Sequence, residues 1–125
     1  MKKVLVVDDS ETIRQHVAEA LTRAGFQVVE ASDGAAGLQK VSQQEFSMII
    51  LDVNMPLLNG LEMLERLKQD PKTANIPVLM LTTEAQRSMI ERARHNGAKA
   101  WLIKPIKVES LISTVNKVLQ QMEAS

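Results

Sequence analysis

Met48-Ile49-Ile50-Leu51 is an unbroken apolar run that ends abruptly in a charge, Asp52. Four apolar residues are too few for a helix with one solvated side. The β-branched pair, with Pro56 shortly after, predicts a strand buried on both faces. A carboxylate on the last residue of such a strand adds nothing to packing and is poorly placed for solvation. Asp52 therefore calls for a partner or a reaction.

The same arrangement recurs along the chain. Val4-Leu5-Val6-Val7 is followed by Asp8-Asp9, and Val78-Leu79-Met80-Leu81, opened by Pro77, is followed by Thr82-Thr83-Glu84. Ala100-Trp101-Leu102-Ile103 leads into Lys104-Pro105, and Gln27 to Ala31 is a further β-branched strand. Between the strands, apolar residues return at helical spacing. Ile13, Val17, Ala20, Leu21 and Ala24 mark a first helix closed by Gly25, and after an Asp33-Gly34 turn Leu38 and Val41 mark a short second one before Phe46. Leu61, Leu64 and Leu67 line a third helix, which follows Gly60 and stops at Asp70-Pro71. Met89, Ile90 and Ala93 form the buried side of a fourth, ended by Gly97. Val108, Leu111, Ile112, Val115, Val118, Leu119 and Met122 form the stripe of the last.

Strands that alternate with helices predict an α/β fold: a doubly wound, five-stranded parallel sheet with five helices, which right-handed crossovers place above and below it. The 125 residues fit one domain spanning 1–125, enough to bury roughly two thirds of the unfolded chain's surface. Neither a repeat nor a Gly/Ser-rich linker interrupts it. Lys plus Arg and Asp plus Glu both number 15, so no overall field favours nucleic acid or an anionic membrane. With no Cys, no membrane-length apolar run and an opening run too short for a signal peptide, the expectation is a cytoplasmic protein.

Asp8, Asp9, Asp52, Thr82 and Lys104 all fall at carboxyl ends of strands, the rim where open α/β sheets bind ligands. Three carboxylates within about 4 Å would repel by ~4 kcal/mol per pair at a near-surface dielectric. A cation must offset this. Mg²⁺ suits the site, because it takes hard oxygen ligands through one or two carboxylates, keeps water and leaves positions for phosphate oxygens. Lys104 adds a second positive charge. Metal carboxylates, an aspartate nucleophile, a hydroxyl donor and a point cation are the parts of a phosphoryl-transfer site. His16 and His95 are not expected at the rim, and no Walker-type glycine loop is present. Singly, Asp8 or Asp9 reads equally well as a helix cap, Thr82 as a capping hydroxyl and Lys104 as a solvated lysine; their conjunction favours chemistry.

Over essentially its whole length the chain resembles the receiver domain of two-component response regulators. The resemblance is carried by Asp8-Asp9, by Asp52 with Met55-Pro56 and Gly60, by Thr82, and by Lys104-Pro105. It implies the flavodoxin-like strand order 2-1-3-4-5. It also implies that Asp52 accepts a phosphoryl group from a sensor histidine kinase or a small phosphodonor. Mg²⁺ would be held by Asp8, Asp9, Asp52 and the Asn54 backbone carbonyl, while Thr82 and Lys104 bind phosphoryl oxygens. Asn54, Thr83, Glu84 and Pro105 stand where the family tunes or switches, and Pro105 would follow a cis bond. Trp101 occupies the position of a switching Tyr or Phe, a departure, since the larger indole turns inward less readily.

Such a protein is a phosphoacceptor that catalyses only its own phosphorylation and dephosphorylation, a monomer or weak dimer, with the face of helix 4, strand 5 and helix 5 binding a downstream protein. With no output module after helix five, the expected outlet is that partner, or a role as phosphate relay or sink. The tract from Asp70 to Pro77 resembles stand-alone chemotaxis-type receivers. A dehalogenase-type phosphohydrolase would need an acid where Asn54 stands, and an FMN carrier would need a Ser/Thr-rich phosphate loop in place of Asp8-Asp9. A phosphorylation-independent interaction module is the remaining alternative.

Overall fold

The structure, a computed structural model, describes residues 2–53, 59–83 and 86–123. Within these, strands β1 (Lys3–Val7), β2 (Gln27–Ala31), β3 (Met48–Asp52), β4 (Val78–Thr82) and β5 (Ala100–Ile103) alternate with five helices. The helices are α1 (Glu11–Arg23), α2 (Gly34–Gln43), α3 (Gly60–Gln69), α4 (Met89–His95) and α5 (Val108–Glu123). None of the helices described is long and apolar enough to cross a membrane.

The strands form one parallel sheet in the order β2-β1-β3-β4-β5. In register, Val6 stands between Glu30 and Ile50, Leu51 faces Met80, and Thr82 faces Ile103. Every residue of β3 and of β4 is buried, as unbroken apolar runs require when both faces are covered.

Helices do not simply alternate between the faces, as was expected of successive crossovers. The chain first steps outward from β1 to β2, and all later steps run the opposite way. With one handedness throughout, that reversal puts α1 on one side and α2, α3 and α4 on the other, while α5, which leads to no further strand, packs beside α1. Two cores result. Val17 and Leu21 of α1 and Leu111 and Val115 of α5 pack on Val4, Val6, Ile50, Leu79 and Leu81. Leu61, Leu64 and Leu67 of α3 and Ala93 of α4, with Leu38 and Val41 of α2, pack on Leu5, Val7, Ile49, Leu51 and Met80. Each fully buried Leu or Val contributes ~1.5–3 kcal/mol, so these stripes hold the helices in place.

Local chemistry sets the helix ends. Ser10, Asp33 and Asn59 accept bonds from the backbone amides of Ile13, Ala36 and Glu62, each worth about 1 kcal/mol as an N-cap. Asp33-Gly34, expected as a turn, is therefore a helix start. Gly25 and Gly97 close α1 and α4 at φ +97° and +99°, where a side chain would be strained. At the end of α3 the Thr73 hydroxyl donates to the Leu67 carbonyl at 2.6 Å, and Lys68 Nζ donates to the Ala74 and Ile76 carbonyls, both at 3.0 Å.

Three residues assigned to buried stripes are exposed: Met89 at 38%, Val108 at 41%, and Ala24. Met89 and Val108 open their helices, where the side chain leans back toward the N-terminus and projects past the sheet. Ala24 is the C-cap of α1, already leaving the stripe.

Candidate functional site

Asp52 ends β3 at 2% exposure, and Val53 continues the ladder by donating to the Leu81 carbonyl at 3.1 Å. The chain then returns: the Gly60 amide donates to the Val53 carbonyl at 2.9 Å. A Cβ on Gly60 would stand 2.1 Å from the Asp52 carbonyl oxygen and 2.8 Å from the Val53 Cα. Only glycine allows the start of α3 to rest against the backbone of Asp52.

Asp8, the first residue after β1, is fully buried. Its amide donates to the Ala31 carbonyl at 3.2 Å, its Oδ1 accepts from the Ser10 amide at 2.9 Å, and its own carbonyl accepts from Arg14 Nη1 at 2.8 Å. Asp9 beside it is exposed. Carboxylate oxygens of Asp8, Asp9 and Asp52 lie within 4.8 Å of one another.

Lys104 arrives from the far side of the sheet. Its amide donates to the Thr82 carbonyl at 2.7 Å, just past the end of β5, and its bond to Pro105 is cis, as the resemblance implied. Its Nζ donates to Asp52 Oδ1 at 3.1 Å and stands 3.3 Å from Asp8 Oδ2. The second approach is an ion pair that does not complete a hydrogen bond, so Asp8 Oδ2 is buried with an unfilled acceptor. Thr82 Oγ1 is likewise buried with no hydrogen-bond partner among the described residues.

Three carboxylates face one ammonium, leaving a negative excess in a buried notch. Like charges at about 4 Å repel by ~4 kcal/mol at an effective dielectric of 20, and Asp8 Oδ2 still has acceptor capacity for a further cation. A divalent cation with hard-oxygen preference fits these residues. Asp8 and Asp52 supply buried oxygens, and exposed Asp9 lies where coordinated water can remain.

The rim thus gathers Asp8, Asp9, Asp52 and Lys104, with Thr82 at the end of the adjacent strand. Asn54 and Glu84, with Met55 and Pro56, lie outside the described residues. Thr83 is half-buried just past the end of β4, and its amide donates to Gln86 Oε1 at 2.9 Å. Trp101, on edge strand β5 opposite Met80, is 37% exposed. His16, expected away from the rim, reaches its flank: Nε2 lies 3.1 Å from the Ile106 carbonyl, a bond that only the Nε2-protonated ring can make. Ser10 and Arg14, which hold Asp8, carried no functional expectation. The cap signal of Ser10 was present in sequence, but an arginine on a helix reads as solvated.

Comparison with known proteins agrees with this geometry. The family described as "Response regulator receiver domain" matches residues 4–116. Protein PilH of Pseudomonas aeruginosa is 34% identical over 119 residues, covering 95% of this chain and 98% of its own. Chemotaxis protein CheY-3 of Vibrio cholerae is 32% identical, covering 96% and 93%. The solved structure of chemotaxis protein CheY4 of Vibrio cholerae superposes with a TM-score of 0.89 at 41% identity, covering 94% of this chain and 98% of that one. The fold, the acidic notch and these matches together show that the chain belongs to the response regulator receiver domain family.

Proposed function

We propose that this receiver accepts a phosphoryl group on Asp52 in a Mg²⁺-dependent reaction with a sensor histidine kinase, and thereby controls binding of a downstream protein in chemotaxis- or motility-type signalling. The observation that carries this reading is the convergence of Lys104 Nζ on the carboxylates of Asp52 and Asp8, with a buried Thr82 hydroxyl at the end of the adjacent strand that has no hydrogen-bond partner among the described residues. The signalling context rests on relatives named as chemotaxis proteins.

In this reading an Asp52 carboxylate oxygen attacks phosphorus. The bond from phosphorus to the donor breaks, its electron pair leaves with the donor group, and an acyl phosphate forms. Asp8, Asp9 and Asp52, with the Asn54 carbonyl, would hold Mg²⁺, which when bound would neutralise charge on the transferring oxygens. Lys104 turns from the Asp52 carboxylate to a phosphoryl oxygen. Thr82 donates its idle hydroxyl to another. Charge-assisted bonds are worth ~1.5–3 kcal/mol each; Lys104 exchanges one such bond for another, so the bond new to the phosphorylated state is that of Thr82, a part of the ~5.5 kcal/mol that carries a switch from 1:99 to 99:1. Because the Thr82 hydroxyl has no hydrogen-bond partner at rest among the described residues, its share belongs to the phosphorylated state.

The shift would be read on α4, β5 and α5. Met89, Trp101 and Val108, the large hydrophobic residues recorded as exposed among the described residues, all belong to those elements. Like other receivers, the chain would act as a phosphoacceptor that catalyses only its own phosphorylation and dephosphorylation, in the cytoplasm. The test is a melting curve with Mg²⁺ and beryllofluoride, a phosphoryl mimic, followed by partner capture with and without it. Stabilisation that requires Asp52, together with state-dependent capture through α4-β5-α5, is expected. Identical melting of the wild type and Asp52→Asn in both conditions would overturn the reading.

A further inference from the structure

Arg14 lies one turn into α1 with its side chain only 15% exposed, and it makes two directed contacts. Nη1 donates to the backbone carbonyl of Asp8 at 2.8 Å, and Nε donates to Glu30 Oε1 at 3.1 Å. Glu30 stands on β2, the edge strand, opposite Val6. One guanidinium therefore spans from the sheet edge to the turn after β1.

That turn carries both Asp8 and Asp9. The Asp8 backbone is held at its amide by the Ala31 carbonyl and at its carbonyl by Arg14, while its Oδ1 is held by the Ser10 amide. The remaining oxygen, Oδ2, is directed toward Lys104 Nζ and has an unfilled acceptor. Of these three ties, only the one from Arg14 comes from a side chain, and only it depends on a partner, Glu30, to fix its direction.

We propose that Arg14 is a positioning residue for the cation-binding carboxylates: braced by Glu30, it fixes the Asp8-Asp9 turn through the Asp8 carbonyl and so sets the affinity of the notch for a divalent ion. The inference rests on the proposed Mg²⁺ reading. Positioning and simple charge make opposite predictions. A guanidinium this close to the acidic notch, acting through charge alone, weakens cation binding, so removing it would tighten Mg²⁺. Acting through geometry, its removal loosens the turn and weakens Mg²⁺. Arg14→Lys separates the two further, because it keeps the charge while a single ammonium cannot reproduce the planar fork that serves Asp8 and Glu30 together.

The experiment is calorimetric titration of Mg²⁺ into the wild type, Arg14→Gln and Arg14→Lys, at a temperature where metal-free melting shows all three folded. Loss of an outer partner of a metal ligand typically weakens affinity 10–100-fold, and a carbonyl contact belongs at the low end. Arg14→Gln is expected to weaken Mg²⁺ about tenfold and Arg14→Lys about threefold. If Arg14→Gln fails to fold, Arg14→Lys decides alone. Wild-type affinity in Arg14→Lys, or equal or tighter binding in Arg14→Gln, would overturn the role assigned to Arg14 while leaving the metal site intact. Absence of Mg²⁺ binding by the wild type would instead remove the metal reading, and this inference with it.

Discussion

Lys104 and Asp52, 52 positions apart in the chain, are joined by a hydrogen bond of 3.1 Å between Nζ and Oδ1 in a notch where Asp52 is 2% exposed. The bond links the end of β3 to the end of β5 across β4. It sets a positive charge against the buried carboxylates, and its loss deprives Asp8 and Asp52 of the Lys104 ammonium. Breaking a buried pair costs ~3–5 kcal/mol, and the partial exposure of Lys104 reduces this. Lys104→Met is expected to lose about 2–3 kcal/mol in chelator, with Mg²⁺ restoring much of it, as measured by urea unfolding. Asp52→Asn, which removes one of the repelling charges, is expected to stabilise the metal-free protein.

Thr82 gives the opposite trade. Its hydroxyl is buried without a hydrogen-bond partner among the described residues, a defect of ~1–3 kcal/mol in a resting protein. Thr82→Val keeps the shape and removes the defect. Resting stability is expected to rise by about 1 kcal/mol while stabilisation by Mg²⁺ and beryllofluoride falls, the apparent affinity for the mimic dropping about tenfold. A thermal-shift titration of both proteins checks the two effects together.

Gly60 and Gly37 differ in what surrounds them. At Gly60 an added Cβ meets backbone, the Asp52 carbonyl oxygen at 2.1 Å, which cannot yield without moving the end of β3. At Gly37 it meets the flexible end of Met63 at 2.8 Å and Val7 at 3.1 Å. Gly60→Ala is expected to destabilise by about 3 kcal/mol or more and to impair phosphorylation. Gly37→Ala, with a helix-propensity gain of ~1 kcal/mol to offset repacking, is expected to stay within about 1 kcal/mol of wild type. Denaturant unfolding of both variants makes the comparison.

Lys68 sets a pH dependence remote from the site. Burial, and secondarily the charge of Lys99, lower its pKa below the usual 10.5. Between the lowered folded-state value and 10.5 the unfolded chain binds more protons than the folded one, so stability rises with pH across that window and falls again as pH drops through the folded value. Lys68→Met should lack this slope while losing the two bonds to Ala74 and Ile76. Lys99→Gln should keep the slope but narrow the window. Urea unfolding at a series of alkaline pH values, each variant against wild type, reads both effects.

Much of this was legible in the chain itself, for a physical reason. Parallel strands buried on both faces leave unbroken apolar runs, and any polar residue at the end of such a run stands out. The bounds of β3, and the rim positions of Asp8, Asp52, Thr82 and Lys104, followed from that contrast, whereas β2, Gln27–Ala31 on the sheet edge, was legible from its β-branched pair. The side taken by each helix did not, because it depends on strand order, which apolar periodicity does not encode. Asp33-Gly34 is equally good chemistry for a turn and for a helix cap. Arg14 and His16 were opaque for another reason: each uses a helix position that reads as solvated to reach a backbone carbonyl, of Asp8 or Ile106, that only the folded chain brings near.

The most direct test of the proposed chemistry is the intact mass of the protein after incubation with acetyl phosphate and Mg²⁺. Phosphoryl transfer to a carboxylate predicts one adduct of about 80 Da on the wild type, none on Asp52→Asn and none in chelator. A wild-type protein that stays unmodified while a control receiver is labelled, or an adduct that survives Asp52→Asn, would contradict it.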